Sequence, residues 1–446
     1  MPVSTRPRSA GASSPRRRRS LAAIAICATA AVLTAACSGS GGSGNGSAGN
    51  GSSSSGGTAS SPAASPSNAA DLTISPANGS KDAQPGQGIT VTAGRGKLTH
   101  VSVSAGSAPV SGQLDAAGTT WHSTWTLGVG TTYTVTASAT APGDKPVTQT
   151  STFATLTPAR TFQTMIFEGS GQTYGVGMPL MLTFSQPIVN KAAVERSLQL
   201  STSKPVAGSW YWDGDQKVNF RPRGYWPAHT KVSFTGHLDG VEAAPGLYGD
   251  HTLTQSFNIG SSLIVVASTA THHLNLYRDG KFYLRWPISS GKPGDNTPNG
   301  TYVTIDKGNP VLMKGPGYKL EVPWSVRFTW SGDYLHDAYW SVGEQGFTNV
   351  SHGCVNLSPA DAEAYYKMEV PGDPVTVAGS PRAGVFDNGW TEWFLSWHRY
   401  LSGSALHEAV EAGPGGSKFV SPSALPAPTG SAPLSQPAAG NWSATA

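Results

Sequence analysis

The amino-acid sequence predicts a mainly β protein with little helix. Its 446 residues include 54 glycines and 33 prolines, which are frequent in turns and tethers. Helix formers are modest in number and only 13% of the residues are charged, which argues against an all-helical protein. Hydrophobic and polar residues alternate over many short runs, a period typical of half-buried strands. A chain of this length is expected to form several domains.

Two consecutive antiparallel β-sandwiches are predicted, over residues 71–157 and 158–259. The first contains the alternating runs LTHVSVSAG, TWHSTWTL and TTYTVTASATA, separated by turn residues. The second repeats this pattern in PLMLTFSQPI, QKVNFRPRG and TKVSFTGHL. Short strands that follow one another at such close spacing are the pattern of antiparallel sandwiches.

A third domain of different character is predicted over residues 260–379. Its first run, SSLIVVAST, indicates a buried strand, and HHLNLYRDGKFYLRWPISSG indicates a hairpin that turns at Asp279-Gly280. Further strands are predicted in GTYVTIDKG, VPWSVRFTW and PVTVAG. The segment SPADAEAYYKMEV predicts one short helix, capped by Ser358 or Asp361. The domain is therefore expected to be mostly β.

The C-terminal part is predicted to be a small helical extension over residues 380–411, followed by a disordered tail over residues 412–446. Trp390, Trp393 and Trp397 recur at intervals of three and four residues. This spacing gives a helix an apolar face, which we expect to pack on the neighbouring domain. The tail returns to Gly, Ser, Pro and Ala, a composition that cannot bury enough surface to fold.

Residues 1–37 are predicted to be an export signal. They contain a basic segment ending in RRRRS, the apolar stretch LAAIAICATAAVLTAA, and small residues before Cys37. The end of this segment resembles a bacterial lipobox, which predicts that Cys37 is lipidated and anchors the protein to a membrane. Plain secretory cleavage is the alternative. Residues 38–70, rich in Gly and Ser, are expected to form a disordered tether.

The distribution of charge argues against nucleic acid as a partner. The formal net charge is +4, but six of the 30 basic residues precede Cys37, where no acidic residue occurs. The remainder of the chain carries 24 basic and 26 acidic residues. No basic stripe marks a site for a polyanion.

Cys354 is the one cysteine of the predicted mature fold, because Cys27 and Cys37 belong to the signal segment. Exported proteins usually pair their cysteines, so a lone thiol in an oxidising compartment is a candidate for a reactive group. A buried cysteine that acts as a small hydrophobic side chain is the alternative. The N-terminus of the helix predicted after the motif SHGCVN would lower the pKa of this thiol.

Residues around Cys354 offer the base and the oxyanion donors that a thiol nucleophile needs. His336 lies 18 residues earlier, a separation that a strand, a loop and a return strand can close. The amides of Gly353 and Cys354 lie at a turn, and the Ser351 hydroxyl is expected to orient His336 or His352. Two other interpretations stay open: a zinc site built from the two histidines and the cysteine, without the usual HxxE or CxxC spacing, and an inert thiol.

The segment HDAYWSVGEQGFTNVSHGCVNL, residues 336–357, resembles the active-site signature of the L,D-transpeptidases of bacterial cell walls. SSGKPGDNTPNGTY, residues 289–302, is similar to the TPxG segment of that family, and EAYYKMEVPGDPVTV to its helix and closing strand. The sandwiches and the Trp-rich extension resemble actinobacterial lipoprotein members with tandem immunoglobulin-like domains. The resemblance implies two immunoglobulin-like β-sandwiches followed by a YkuD-type catalytic domain over residues 260–379.

This resemblance implies that Cys354 is the nucleophile and His336 the general base, oriented by the backbone carbonyl of Asp337. Family members often have Ser or Gly in place of Asp337, and its carboxylate is also considered as a partner for a substrate amine. The amides of Gly353 and Cys354, with Tyr318 from a lid whose hinge is the segment GPGY, would hold the oxyanion. The remaining implied residues are His352 in the catalytic set and Ser351, Asn356 and Trp340 as substrate-binding residues.

The implied reaction is acyl transfer in the cell wall, with peptidoglycan stem peptides as donor and acceptor. The cysteine would release the terminal D-Ala of a tetrapeptide stem, and an amine of a neighbouring stem would resolve the thioester as a 3→3 cross-link. Carbapenems are expected to acylate the same thiol. The interpretation needs no cofactor and no metal, and it places the protein at the outer face of the cytoplasmic membrane and the cell wall. An L,D-carboxypeptidase, another secreted cysteine peptidase and an inactive wall-binding protein are the alternatives.

Overall fold

The computed structural model describes residues 70–315 and 317–425, and the predicted mainly β class is confirmed. The predicted signal segment, the lipidation site Cys37 and the tether up to residue 69 lie outside the described residues. Within the described ranges, no helix combines the length and the apolar character needed to cross a bilayer.

The first sandwich consists of two four-stranded sheets, in the strand orders β1-β2-β6-β5 and β4-β3-β7-β8. Successive side chains of a strand point to opposite faces, and the apolar ones pack inward. In β7, for example, Tyr133, Val135 and Ala137 are buried. The sandwich has a hydrophobic core of its own. Its strands are β1 Leu72–Ser75, β2 Thr90–Ala93, β3 Lys97–Ala105, β4 Ala108–Pro109, β5 Gly112–Leu114, β6 Thr120–Ser123, β7 Thr132–Thr140 and β8 Val147–Ala154.

The second sandwich contains eleven consecutive strands and one helix, α1 Lys191–Arg196, whose first turn is capped by the Asn190 side chain. Its core is rich in aromatic residues; Trp210 and Trp226 are almost completely buried. The strands are β9 Arg160–Phe162, β10 Thr164–Ile166, β11 Thr173–Tyr174, β12 Leu180–Phe184, β13 Leu198–Thr202, β14 Val206–Asp213, β15 Lys217–Pro222, β16 Lys231–Gly236, β17 Glu242–Ala244, β18 Leu247–Gly249 and β19 Leu253–Ile259.

The third region begins with a five-stranded sheet in the order β22-β21-β20-β30-β23 and adds a four-stranded sheet in the order β24-β27-β28-β29. The predicted hairpin turn at Asp279-Gly280 is present, and both residues have positive φ. The predicted helix is α2 Pro359–Met368, capped by the Ser358 hydroxyl. The strands are β20 Leu263–Ser268, β21 His273–Arg278, β22 Lys281–Pro287, β23 Gly300–Val303, β24 Asp306–Gly308, β25 Val311–Gly315, β26 Tyr318–Val322, β27 Ser325–Arg327, β28 Tyr334–Asp337, β29 Val355–Leu357 and β30 Pro374–Ala378.

The C-terminal extension differs from its prediction. Its helical part is limited to a 3₁₀ turn, Glu392–Phe394, and the short helix α3 Trp397–Leu401. A hairpin follows, made of β31 Ala409–Gly413 and β32 Gly416–Val420, so the disordered tail predicted from residue 412 is wrong up to residue 420. Strand β31 pairs with the edge of β14, which supplies the backbone partners that so short a segment lacks alone.

The second sandwich shares one hydrophobic core with the third region and the extension. This core includes Ile264, Val303 and Ile305 of the third region together with Trp390 and Trp393 of the extension. The seam also contains buried polar contacts, because the Trp393 indole donates to the Gly177 carbonyl at 2.7 Å and the Asn219 amide donates to Glu392 at 2.7 Å.

The first sandwich meets the second over a small set of contacts. The Trp125 ring stacks on the His237 ring with 3.7 Å between the ring centroids. The Val129 amide donates to the Asp239 carboxylate at 3.1 Å. Gly240 lies so close to the Leu127 carbonyl that a Cβ at this position would collide with it.

Candidate active site

Two neighbouring parallel strands hold the proposed base and nucleophile. Strand β28 pairs with β29 so that His336 lies opposite Asn356. Cys354 immediately precedes β29, so its side chain and that of His336 reach the same cavity. The predicted return strand is therefore a parallel strand, reached through a crossover that contains the 3₁₀ turn Tyr339–Ser341.

The His336 ring is buried and oriented by the backbone. Its Nδ1 lies 2.7 Å from the Asp337 carbonyl oxygen, so Nδ1 carries the donated proton and Nε2 keeps its lone pair. This is the contact that the resemblance predicts. Burial lowers the pKa of the imidazole to about 4, against the weaker effect of the Asp337 carbonyl, so the ring is neutral near pH 7.

The Cys354 thiol is protonated at rest, contrary to the sequence-based expectation. Burial, helped by the nearby Asp333 carboxylate, raises its pKa to about 12, while the Tyr334 amide acts in the opposite direction. The expected helix does not reach the thiol, because β29 separates Cys354 from α2. Among the described residues, the Cys354 thiol donates a long hydrogen bond to the Gly332 carbonyl oxygen, 3.8 Å from Sγ. No hydrogen bond within this part of the chain joins the thiol to His336.

The Ser351 hydroxyl holds the turn before the nucleophile. Contrary to the prediction, it orients neither His336 nor His352. It donates to the Cys354 carbonyl at 2.6 Å and accepts from the Gly353 amide at 3.1 Å. Of the two amides predicted to hold the oxyanion, that of Gly353 is thus already engaged. Gly353 has φ +130°, and an added Cβ would lie 2.6 Å from Oδ1 of Asp333, so both the backbone and the space require glycine.

A cavity of about 340 Å³ contains the thiol and the imidazole. Of the other predicted residues, Tyr318, Trp340, Ser351, His352 and Asn356 line it, whereas Gly353 and Asp337 do not. The complete lining is Met313, Tyr318, Leu320, Val322, His336, Trp340, Ser341, Glu344, Val350, Ser351, His352, Cys354 and Asn356. A larger cavity of about 470 Å³ lies between β14 and the β31–β32 hairpin, but cysteine and histidine are absent from its lining.

Aromatic rings form the rim of the cavity. The Tyr318 and His352 rings lie 5.2 Å apart between centroids, and Trp340 stacks near His336 at 5.9 Å. Tyr318 is 39% exposed and Trp340 is 45% exposed, so both present free surface to a ligand. Burial raises the pKa of the Tyr318 phenol, and the nearby Cys354 adds to this effect, so the phenol is a hydrogen-bond donor near neutral pH.

The predicted lid is the isolated hairpin β25–β26, whose inner side supplies Met313, Leu320 and Val322 to the cavity. Gly315 and Tyr318 pair at the tip of this hairpin and do not form its hinge, which corrects the prediction. An added Cβ on Gly315 would collide with the Tyr318 ring, so this glycine makes room for the ring.

The Asp337 side chain points away from the proposed substrate site. Its carboxylate is buried, and Oδ1 has no hydrogen-bond partner among the described residues. Burial raises the pKa of this carboxyl, and the Tyr339 amide opposes the shift. The Asp337 side chain does not line the cavity, so the idea that it pairs with a substrate amine finds no support.

Three residues of the site, Ser341, Lys292 and Glu344, are absent from the set predicted from the sequence. The Asn356 amide donates to the Ser341 hydroxyl at 2.9 Å, and Lys292 Nζ lies 2.9 Å from His352 Nε2. Glu344 is the one charged side chain that lines the cavity in the described ranges. Among residues 70–315 and 317–425, no group of three His, Cys, Asp or Glu side chains is arranged to hold a metal ion.

Comparisons with known proteins agree with this architecture. Residues 80–242 match the bacterial Ig domain family, and residues 262–377 match the YkuD family, the L,D-transpeptidase catalytic domain. L,D-transpeptidase 2 of Mycobacterium tuberculosis (strain CDC 1551 / Oshkosh) is 32% identical over 348 residues, which cover 75% of this chain and 85% of that protein. L,D-transpeptidase 5 of Mycobacterium tuberculosis (strain H37Rv) is 35% identical over 354 residues, which cover 76% and 78%.

A similar solved structure is that of the LD transpeptidase LdtMt1 in complex with imipenem, with 36% identity and a TM-score of 0.42. The match covers 50% of this chain and 100% of that chain. The matched families confirm an immunoglobulin-like region followed by a YkuD-type region. The chain therefore belongs to the L,D-transpeptidases, a family of acyltransferases with a cysteine nucleophile.

Proposed function

We propose that this L,D-transpeptidase forms 3→3 cross-links in peptidoglycan through a thioester on Cys354. The observation that carries the proposal is the pairing of β28 with β29, which brings a neutral His336 and the Cys354 thiol to one cavity. The donor is a tetrapeptide stem, and the bond attacked lies between its third residue, a diamino acid, and the terminal D-Ala.

In the first half-reaction Sγ leaves the Gly332 carbonyl and transfers its proton to Nε2 of His336. The sulfur then attacks the donor carbonyl. The Cys354 amide and the Tyr318 phenol are proposed to donate to the oxyanion. When the C–N bond breaks, the imidazolium returns the proton to the leaving amine, and D-Ala departs as the neutral amine. A thioester remains on the enzyme.

In the second half-reaction an amine of a neighbouring stem attacks the thioester. His336 accepts the proton that this amine loses and returns it to the departing thiolate, so the resting pair is restored. The rim fits such an acceptor because exposed Trp340 offers apolar surface and the Glu344 carboxylate attracts the ammonium form. That form loses one proton to solvent before the neutral amine attacks. If water attacks in place of the amine, the same intermediate makes the enzyme an L,D-carboxypeptidase.

We also propose that carbapenems acylate Cys354. Support comes from the relative LdtMt1, whose solved structure is a complex with imipenem. The neutral thiol and imidazole arranged here can open a β-lactam ring by the same attack on a carbonyl, with the ring nitrogen as the leaving group.

The protein is proposed to act outside the cytoplasmic membrane, anchored through a lipid on Cys37. The proposal rests on the basic and apolar segments before this cysteine. Metabolic labelling with a clickable palmitate tests it: the wild-type protein should incorporate label and the Cys37→Ala variant should not. A wild-type protein that stays unlabelled would contradict the anchor.

The experiment that tests the cross-linking function uses purified tetrapeptide stems and mass spectrometry. We expect a dimer whose mass equals two stems minus one D-Ala, and fragmentation should place the new bond between the two third-position residues. Cys354→Ala should form no dimer. Release of D-Ala without dimer would assign a carboxypeptidase, and no release by the folded wild type would overturn the proposal.

A further inference from the structure

The thiol of Cys354 is enclosed on one side by the turn of residues 329–334. The Gly332 carbonyl accepts its weak hydrogen bond, and the Tyr334 amide faces the sulfur. Between these two residues, Asp333 turns its side chain inward. The immediate surroundings of the nucleophile therefore depend on how this turn is held.

The Asp333 carboxylate lies against the residue that precedes the nucleophile. It is 6% exposed, and Oδ2 accepts from the hydroxyls of Thr329 at 2.7 Å and Ser331 at 3.0 Å. Oδ1 faces Gly353, at 2.6 Å from the position of an added Cβ. A buried carboxylate this close to a thiol disfavours the thiolate, and hydroxyl donors reduce that effect by spreading the carboxylate charge.

Asn388 of the C-terminal extension holds the same turn with two hydrogen bonds. Its Oδ1 accepts from the Ser331 amide at 2.8 Å, and its Nδ2 donates to the Ser331 hydroxyl at 2.9 Å. The hydroxyl accepts from Asn388 and donates to Asp333, and its other neighbour is the Thr329 hydroxyl at 3.2 Å, which itself donates to Asp333. The Asn388 carboxamide, two hydrogen bonds away from the Asp333 carboxylate, thus orients the Ser331 hydroxyl that donates to this carboxylate.

The position of Asn388 is set by the seam with the second sandwich. Trp390, two residues later, packs edge-on against Trp330 with 6.0 Å between centroids, and Gly389 approaches the Phe328 carbonyl closely. Further along the extension, Trp393 belongs to the shared core and Glu392 is buried beside it. The extension therefore carries a fixed amide to the edge of the active site.

We propose that Asn388 is a positioning residue for Cys354, acting through the Ser331 hydroxyl and the Asp333 carboxylate. The proposal rests on the proposed function of Cys354 as the nucleophile. Through Ser331 and Asp333, the C-terminal extension influences how readily the thiol reacts. The titratable groups that face the thiol or this carboxylate are Tyr302, Tyr318, Asp333, Tyr334, His336, Glu344, His352 and Arg382.

The test compares the pH dependence of Cys354 alkylation by iodoacetamide in the full chain and in its variants. Asn388→Ala and Ser331→Ala should both slow alkylation at pH 8, by roughly threefold to tenfold, the effect of one hydrogen bond, and move the profile to higher pH. Asp333→Asn should move the profile to lower pH, because the charge that opposes the thiolate is gone.

A double-mutant cycle gives the decisive outcome. In the Asp333→Asn background the additional change Asn388→Ala should have little further effect on the profile, because the carboxylate through which it acts is absent. An Asn388→Ala profile that overlaps the wild type, or an equal shift in both backgrounds, would overturn the proposal.

Asn190→Ala is the matched control for general destabilisation. Asn190 also accepts one backbone hydrogen bond and donates one, at the start of α1, far along the chain from the turn. It should lower the melting temperature without moving the alkylation profile. Labelling must be absent in Cys354→Ala, and failure of the wild type to be labelled at Cys354 would reject the proposed nucleophile itself.

Discussion

The two sandwiches differ in how they relate to the rest of the enzyme. The first closes its own core, and its contacts with the second include the Trp125 and His237 stack and the bond from Val129 to Asp239. The second sandwich shares its hydrophobic core with the catalytic region and the extension. Sandwiches of mainly antiparallel strands thus serve as an appended module in one case and as part of the enzyme in the other.

This difference indicates which part of the chain the active site depends on. The turn beside Cys354 is bonded to Asn388, and the extension that carries Asn388 is a partner of β14 through β31. No equivalent path runs from the core of the first sandwich, which shares none of its residues with the other two cores of the described chain. We therefore expect damage to the core that the second sandwich shares with the catalytic region to reach catalysis, and damage to the core of the first sandwich to stay local.

The largest effect is expected from Trp393→Ala, compared with Trp121→Ala in the core of the first sandwich. Each change empties a buried aromatic site and should cost about 3–5 kcal/mol in the free energy of unfolding of its own unit. Calorimetry and acylation by imipenem measure the outcome. Trp393→Ala should lower the melting temperature of the catalytic unit and its acylation together, whereas Trp121→Ala should leave acylation intact. Equal loss in both variants would break the comparison.

Gly353→Ala should reduce acylation by roughly 100-fold, because the added Cβ displaces the nucleophile turn from Asp333. Gly106→Ala, in a turn of the first sandwich, is the control: Gly106 also has positive φ, but a Cβ there meets open space. It should cost about 1–2 kcal/mol of stability without loss of acylation. Full activity of Gly353→Ala would show that this turn tolerates a side chain.

The acid limb of kcat/KM should lie near pH 4. His336 must be neutral to act as the base, and burial lowers its pKa to about 4, so activity is kept from pH 7 down to about pH 5 and is lost below. Burial also lowers the pKa of His237, in the joint with the first sandwich, to about 4. His237→Gln should leave the acid limb in place if the joint has no part in catalysis. An acid limb near pH 6.5 in the wild type would contradict the buried neutral base.

The smallest effect is expected from Glu344→Gln, which removes the carboxylate proposed to attract the acceptor amine. The KM for the acceptor stem should rise roughly twofold to fivefold, as for an exposed ion pair, and less at high salt. Glu363→Gln, on the exposed side of α2, is the matched control. The acylation rate of each variant serves as the internal reference, and an equal loss in acylation and in acceptor use would argue against an acceptor role.

Much of this organisation could be predicted from the sequence because it depends on local patterns. Alternating runs predict the strands, Asp279-Gly280 predicts its hairpin, and the spacing of His336 and Cys354 predicts that they meet. The bond from His336 to the Asp337 carbonyl follows from the family resemblance. The signals for these features lie within a few residues, or within a motif that the family repeats.

Features that depend on distant partners could not be predicted in this way. The strands of residues 409–420, most of which were predicted to be tail, pair with each other and with the edge of β14, a partner about 200 residues away in the sequence. The direction of the thiol pKa was predicted wrongly, because burial and Asp333 depend on how the turn folds over Cys354. The bonds of Asn388 to Ser331 join residues 57 positions apart, and nothing in either segment alone indicates them.

The most direct test of this account is imipenem acylation of a fragment comprising residues 158–425, followed by intact mass. The account predicts that the fragment folds and gains one imipenem adduct on Cys354 at the rate of the full chain, and that its Cys354→Ala variant gains none. A folded fragment that fails to form the adduct, while the full chain forms it, would contradict the claim that the enzyme is complete without the first sandwich.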